Sequence, residues 1–289
     1  MSEDHSKPRR AVAARRSLTL GTLAAALAGS AAPAAVTLPA DLALRDVAGL
    51  ASAVPGDGGA RVLMAASEGG EGGEGGEGEG RAVDPGTALM RDLGFIEGHL
   101  RAGMALYEAG DLEAARTHMG HPIKEKYGAV AEAAEASGHG RLRAEIVALA
   151  DAADAGAEMA ALTPLFETVR ATIEEMRAAQ PVRTQVAGLI ALMRIAGDEY
   201  GAALTDGRIE DLHEYQDSWG FLRVVAVELD EMAAGADADA AAVAARMREN
   251  LAATDAIYGD LQGQGDFEPA PSVIFGAAAR MELAAARLK

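Results

Sequence analysis

From Asp84-Pro85 onward, apolar side chains recur every three or four positions, and that period limits the chain to helices packed on helices. Leu89, Leu93, Ile96, Leu100, Met104 and Tyr107 share one face, a stripe that is stable only when buried against another element. Hydrophobic residues make up 49% of the chain but aromatics only 4%. Alanine, leucine and methionine supply most of the apolar surface, and the Val, Ile, Thr and Tyr runs that favour strands are nearly absent. The expected fold class is therefore all-α, a helical bundle. Gly110-Asp111 ends the first helix and caps a second that runs toward Ser137-Gly138. Further helices are expected at about 141–155, 158–179, 182–206, 208–233, 238–262 and 270–288, eight in all, in two groups of four.

Spacing suggests that the two groups are related up-and-down four-helix units, 84–180 and 181–289. Gly110 to Gly138 encloses a helix as long as the one between Gly207 and Gly235, and Gly110-Asp111-Leu112-Glu113 mirrors Gly207-Arg208-Ile209-Glu210.

Two segments precede the bundle. Residues 1–34 carry a polar, basic start ending in Arg15-Arg16, an apolar run from Ser17 to Ala28, and small residues at Ala32-Pro33-Ala34, the layout of a signal peptide cleaved near Ala34. The run Arg15-Arg16-Ser17-Leu18-Thr19-Leu20 resembles the twin-arginine export motif, with Leu20 in place of the usual lysine. An apolar stretch of a dozen residues falls short of the ~20 that a spanning helix needs, so the mature chain is expected to be periplasmic with no membrane span. Residues 35–83 include Glu68-Gly69-Gly70-Glu71-Gly72-Gly73-Glu74-Gly75-Gly76-Glu77-Gly78-Glu79-Gly80. Glycine maximises the entropy lost on ordering and like charges repel, so this acidic segment reads as a disordered linker.

The charge excludes some partners. The formal net charge is −18, and removing the leader, with five basic and two acidic groups, leaves 21 basic against 42 acidic residues, a net of −21. Nucleic acid is not an expected partner of such a surface. There is no cysteine, hence no disulfide framework and no thiolate ligand or nucleophile. Any metal has to be held by nitrogen and oxygen.

The histidines offer that chemistry. His99 lies eleven residues before Gly110 and His121 eleven after it. In an antiparallel helix pair, equal distance from the turn means equal height, so the two imidazoles can face each other. His118 and Glu125 lie one turn to either side of His121. Neutral imidazole and carboxylate suit iron, copper or zinc, and bundles build such sites from facing helices. Ligands of one ion would bring the donors of His99 and His121 within roughly 3 to 4 Å of each other. Read as one ideal helix, however, 111–136 turns His121 away from the stripe of Leu112, Met119, Ile123 and Val130, toward solvent. Pro122 should interrupt that helix, so the phase need not carry through. A solvated polar face with a packing kink and a ligand set both remain open.

In the second group, His213 and Asp217 share a face with Gly220 and Val224 and point inward, either as an internal hydrogen-bonded pair or as a secondary metal site. Gly197 and Gly201, across the Gly207 turn, would leave room for a ligand or water. Glu199, Glu210 and Glu214 read as surface charges. The run His213-Glu214-Tyr215-Gln216-Asp217 misses the metalloprotease pattern, since Asp217 stands where the second histidine should be. No nucleotide-binding loop or serine elbow appears, and the chain reads as a binding protein sooner than an enzyme.

With Glu97-Gly98-His99 on the first helix and Glu214-Tyr215-Gln216-Asp217-Ser218-Trp219-Gly220-Phe221 on a later one, residues 87–289 resemble the imelysin-like proteins, bacterial envelope proteins linked to iron uptake that fold as two helical bundles. That family's mark is Gly-x-His-x-x-Glu. Here Gly98 directly precedes His99 and position 102 is Ala102, so only His99 carries over, as a metal ligand. The resemblance implies handling of iron or another metal at the cell envelope. The expected ligands are His99, His118, His121 and Glu125, with His213 and Asp217 as the secondary site. The alternative is a non-enzymatic helical scaffold that binds another envelope protein through its acidic face.

Overall fold

Asp84 starts the first helix by accepting a hydrogen bond from the Thr87 amide at 3.0 Å, with Pro85 in the first turn where its missing N–H is no loss. The computed structural model describes residues 83–288; the leader 1–34 and all of the acidic linker but Val83 lie outside them. The helices are α1 (Pro85–Ala109), α2 (Leu112–Glu125), α3 (Tyr127–Ala136), α4 (Leu142–Asp154), α5 (Met159–Ala178), α6 (Val182–Ala202), α7 (Leu212–Ala233), α8 (Ala238–Leu251) and α9 (Pro271–Ala285). Asp111, Asp211 and Asp237 cap α2, α7 and α8 with their carboxylates. Among the described residues no helix is long and apolar enough to cross a membrane.

The packing forms two rings of helices, as an all-α bundle should. α1, α2, α4 and α5 close one around Leu93, Ile96, Leu100, Met119, Leu142 and Ile173. α6, α7, α8 and α9 close the other around Leu192, Met193, Phe221, Leu222, Met247 and Ile274. Each such side chain fully withdrawn from water contributes about 1.5–3 kcal/mol before the entropy of ordering is subtracted. α1 joins the rings, lying against α6 and α7 as well as α2.

Four local expectations are corrected. The helix expected from 111 to about 137 is two, because Pro122 lies inside α2 and the chain breaks at Lys126 (φ −126°) before α3 begins, so nine α-helices replace eight among the described residues. The seventh helix starts at Leu212, not near 208: Asp206 and Gly207, with φ of 52° and 74°, form the two-residue tip of a hairpin between β1 (Leu204–Thr205) and β2 (Arg208–Ile209). Gly207 is therefore not the counterpart of Gly110, whose φ of 86° terminates α1 directly. The eighth helix ends at Leu251 and continues only as a 3₁₀ turn, Ala252–Ile257.

Candidate metal centre

The rings meet where α1 crosses α7, and two glycines set how closely. A Cβ on Gly220 would overlap the Gly98 carbonyl oxygen and stand 3.0 Å from its carbon, while one on Gly98 would run into the Phe221 ring. With neither present, the backbones touch and the next residue of α1, His99, is carried onto the face of α7 that bears Asp217.

All six residues singled out from the sequence converge there. His99 is 1% exposed; its Nδ1 donates to the Phe95 carbonyl at 3.1 Å, which turns Nε2 toward Asp217 Oδ1 at 3.2 Å and Glu125 Oε2 at 3.9 Å. His118 is fully buried, with Nδ1 2.9 Å from the same Oδ1. His213 places Nδ1 3.2 Å from Asp217 Oδ2. His121 places Nδ1 3.3 Å from Glu125 Oε1. The His118 and His213 rings lie parallel with centroids 4.4 Å apart, and His121 tilts against His213 at 4.5 Å. His99 and His121 face each other at a centroid distance of 6.0 Å. Within the set His99, His121 and Glu125, and within the set His118, His213 and Asp217, donor atoms lie within 4.8 Å of one another, looser than the 3 to 4 Å expected from ligands already drawn onto one ion.

The secondary site is therefore not separate: His213 and Asp217 belong to the same cluster as the histidines of the first ring. His121 is not on the solvent face either, since its side chain is only 22% exposed. The buried face of α2 consists of Ala115, His118, Met119 and Pro122, whereas Leu112, counted in the apolar stripe, is an exposed residue. The true face is rotated toward the histidines. The space expected beside Gly197 is filled by the Phe275 ring, and Gly201 opens on nothing. Glu199 and Glu214 are half-buried and bonded to each other instead of being free surface charges; Glu210 is exposed.

Burial and charge divide the cluster. Burial opposes a charged His99, but Asp217 and the Phe95 carbonyl outweigh it, and its pKa is raised. For His213 burial wins over Asp217, helped by the neighbouring imidazoles, and the pKa falls to about 4. His121 is lowered as well, burial prevailing over Glu125. Burial would raise Asp217, but His99 and His118 hold its carboxyl far below the ordinary range. Beside the cluster, burial and the Glu214 carboxyl push Glu199 up to about 8, and Glu214 is raised too. At neutral pH the site thus offers uncharged imidazoles on His121 and His213 around an ionised Asp217, the form in which each binds metal.

Three ring nitrogens, His99 Nε2, His121 Nδ1 and His213 Nε2, are buried without a hydrogen-bond partner. Leaving buried polar atoms unpaired costs about 1–3 kcal/mol each, and a cation would satisfy them. His118 gives a second sign. Gln216, 2% exposed, donates its Nε2 to the Leu261 carbonyl at 2.8 Å, so its Oε1 is the atom 2.9 Å from His118 Nε2. That contact requires a proton on Nε2. The Nδ1 lone pair of a neutral His118 then faces Asp217 Oδ1 at 2.9 Å, and two acceptors at that range need a positive charge between them, either a proton or a metal ion. Gln216 thus acts as the outer group that fixes a ligating imidazole. Imidazole nitrogen and carboxylate oxygen in this ratio fit iron, zinc, copper or manganese.

Residues 174–284 match the family described as an iron permease-associated four-helix bundle domain. The match begins in the last turn and a half of α5 and takes in α6, α7, α8 and nearly all of α9. It therefore covers the second ring, which supplies His213 and Asp217, and stops short of His99, His118, His121 and Glu125. The similarity is to an iron-related helical domain. No curated protein and no solved structure matches the chain.

The sequence pointed neither to Gln216 nor to a buried ion network on the other side of α1. Glu97, 1% exposed, binds Arg101 at 2.6 Å and Arg177 at 2.7 Å, and Arg177 also reaches Glu228 at 2.5 Å. Burial opposes the Glu97 charge, yet Arg177 and Arg101 lower its pKa. The carboxylates of Glu174, Glu228 and Glu231 gather nearby, but Arg170 and Arg177 bond two of them and supply the positive charge a metal would bring.

Proposed function

We propose that this chain is an exported metal-binding protein that handles iron or another transition metal at the cell envelope, with His99, His118, His121, Glu125, His213 and Asp217 as the binding site. The observation that carries the reading is the convergence of four imidazoles and two carboxylates, with three buried ring nitrogens that make no hydrogen bond, two of them facing a carboxylate at 3.2 and 3.3 Å. Similarity of the second ring to an iron permease-associated domain supports iron as the cargo and a membrane permease as the protein it serves. The imelysin-like resemblance of α1 and α7 points the same way. The basic leader, cleaved near Ala34, marks the bundle as a periplasmic domain in this reading.

The test is to strip the purified chain with chelator, add Fe(II), Cu(II), Zn(II) or Mn(II) separately, and measure retained ion and thermal shift. Ligand at a hundred times Kd stabilises a protein by about 2.7 kcal/mol, which for a domain of this size raises Tm by about 5–11 °C. His99→Ala combined with His121→Ala should abolish both the shift and the retained ion. An ion retained undiminished by that double variant would exclude this site.

A further inference from the structure

The parallel rings of His118 and His213 limit how metal can sit in the cluster. An imidazole donates its lone pair in the ring plane, so a coordinated ion lies in that plane. The two planes are within 3° of parallel and the centroids only 4.4 Å apart. Coplanar rings at that separation would overlap; these are stacked, and no single point lies in both planes. As placed, His118 and His213 serve different ions.

Asp217 stands between them, offering Oδ1 to His118 and Oδ2 to His213. We propose, building on the metal-binding reading above, that the cluster holds two divalent transition-metal ions bridged by the Asp217 carboxylate. The inner ion takes His118 Nδ1, His99 Nε2 and Asp217 Oδ1. The outer ion takes His213 and Asp217 Oδ2, with His121 and Glu125 completing it.

Donor separations are compact within the inner set and within the His121–Glu125 pair, and the parallel rings are what divide His118 from His213. His118 Nδ1 and His99 Nε2 lie 2.9 and 3.2 Å from Oδ1, and His121 Nδ1 lies 3.3 Å from Glu125 Oε1. Ligands on bonds of about 2.1 Å subtend roughly 90–100° at such separations, ordinary angles between neighbouring ligands. A carboxylate bridge suits ions about 3.5–4 Å apart, the spacing of two-metal centres. Asp217 and Glu125 supply the carboxylates among the ligands, one bridging the two ions and one on the outer ion. Exposure separates the two positions. His118 and His99 are at most 1% exposed, whereas His213, His121 and Glu125 are 29%, 22% and 46% exposed, so the outer ion exchanges with solvent and the inner one is enclosed.

The experiment loads the chelator-stripped full chain with Co(II), desalts it, counts cobalt per chain and records EPR and magnetic susceptibility at low temperature. The expected result is two Co(II) ions per chain, spin-coupled through the bridging carboxylate and removed by chelator in two phases. His213→Ala, with helicity checked by circular dichroism, should drop the count to one and abolish the coupling; if that variant does not fold, the wild-type count and coupling still decide. One ion per wild-type chain overturns the two-ion assignment while leaving the metal reading intact. Two uncoupled ions overturn it also, since ions scattered on the acidic linker would behave that way. No bound ion overturns the metal reading and the two-ion centre with it.

Discussion

Gly220→Ala should lower both stability and metal affinity, although alanine is the better helix former. The added methyl overlaps the Gly98 carbonyl oxygen, well inside van der Waals contact, with the carbonyl carbon at 3.0 Å and the Ala102 Cβ at 3.2 Å. Two of these three atoms are backbone and cannot rotate away, so α1 and α7 must separate by about 1 Å to restore van der Waals distances near 3.5 Å. Overpacking of this kind costs about 1–3 kcal/mol, and replacing helical glycine returns up to about 1 kcal/mol. Subtracting the full return leaves a net loss of up to about 2 kcal/mol, or up to roughly 8 °C in Tm for a domain of this size. The same displacement pulls His99 from Asp217, now 3.2 Å apart, so metal affinity falls with it. Gly201→Ala is the control, because a Cβ there has nothing within 4 Å; it should be neutral or stabilising by up to about 1 kcal/mol. Urea unfolding of the metal-free proteins and equilibrium metal titration measure the two effects. A Gly220→Ala protein as stable as wild type and equal in affinity would refute the glycine crossing as the device that assembles the site.

Acidification should weaken the metal-free protein between pH 6.5 and 4. His213 is depressed from 6.5 to about 4 in the fold, so over that window the unfolded chain binds the extra proton and stability falls with pH; His213→Ala should flatten the slope, seen as Tm against pH. Gln216→Leu should weaken metal binding by about 10–100-fold through loss of the hydrogen bond that orients His118, and an unchanged Kd in competition with a chelator would contradict that role. Glu97→Ala should cost up to about 3–5 kcal/mol in urea unfolding by leaving the buried Arg177 with Glu228 as its remaining counter-charge, with the metal count unaltered, because Glu97 faces away from the cluster.

The helices were legible because their signals are local. The stripe from Leu89 to Tyr107, the aspartate caps and Gly110 each act within a turn or two, and Pro122 announces a break in a helix that composition alone would have run to Ser137. The ligand types and their i, i+3 and i, i+4 spacing were equally local, which is why His99, His118, His121, Glu125, His213 and Asp217 could all be named. The union of His213 and Asp217 with the other four in one site was not legible. It depends on α1 crossing α7 at Gly98 and Gly220, a contact between residues more than a hundred positions apart, and helical glycines do not say which neighbour they admit. Gly197 made the same appeal and admits only Phe275. Counting Leu112 into the apolar stripe turned α2 by enough to send His121 outward on paper. Gln216 and Arg177 carried no signal, since a lone glutamine or arginine in a helix reads as surface until its partners arrive from other helices.

X-ray absorption at the iron edge of the Fe(II)-loaded chain tests the central claim most directly, because it reports what the ion touches. The account predicts a first shell of mixed nitrogen and oxygen near 2.1 Å with the outer-shell scattering of imidazole rings, diminished in the His99→Ala, His121→Ala double variant. A shell of oxygen alone, without imidazole scattering and unchanged by that variant, would place iron on the acidic surface or linker and contradict the account.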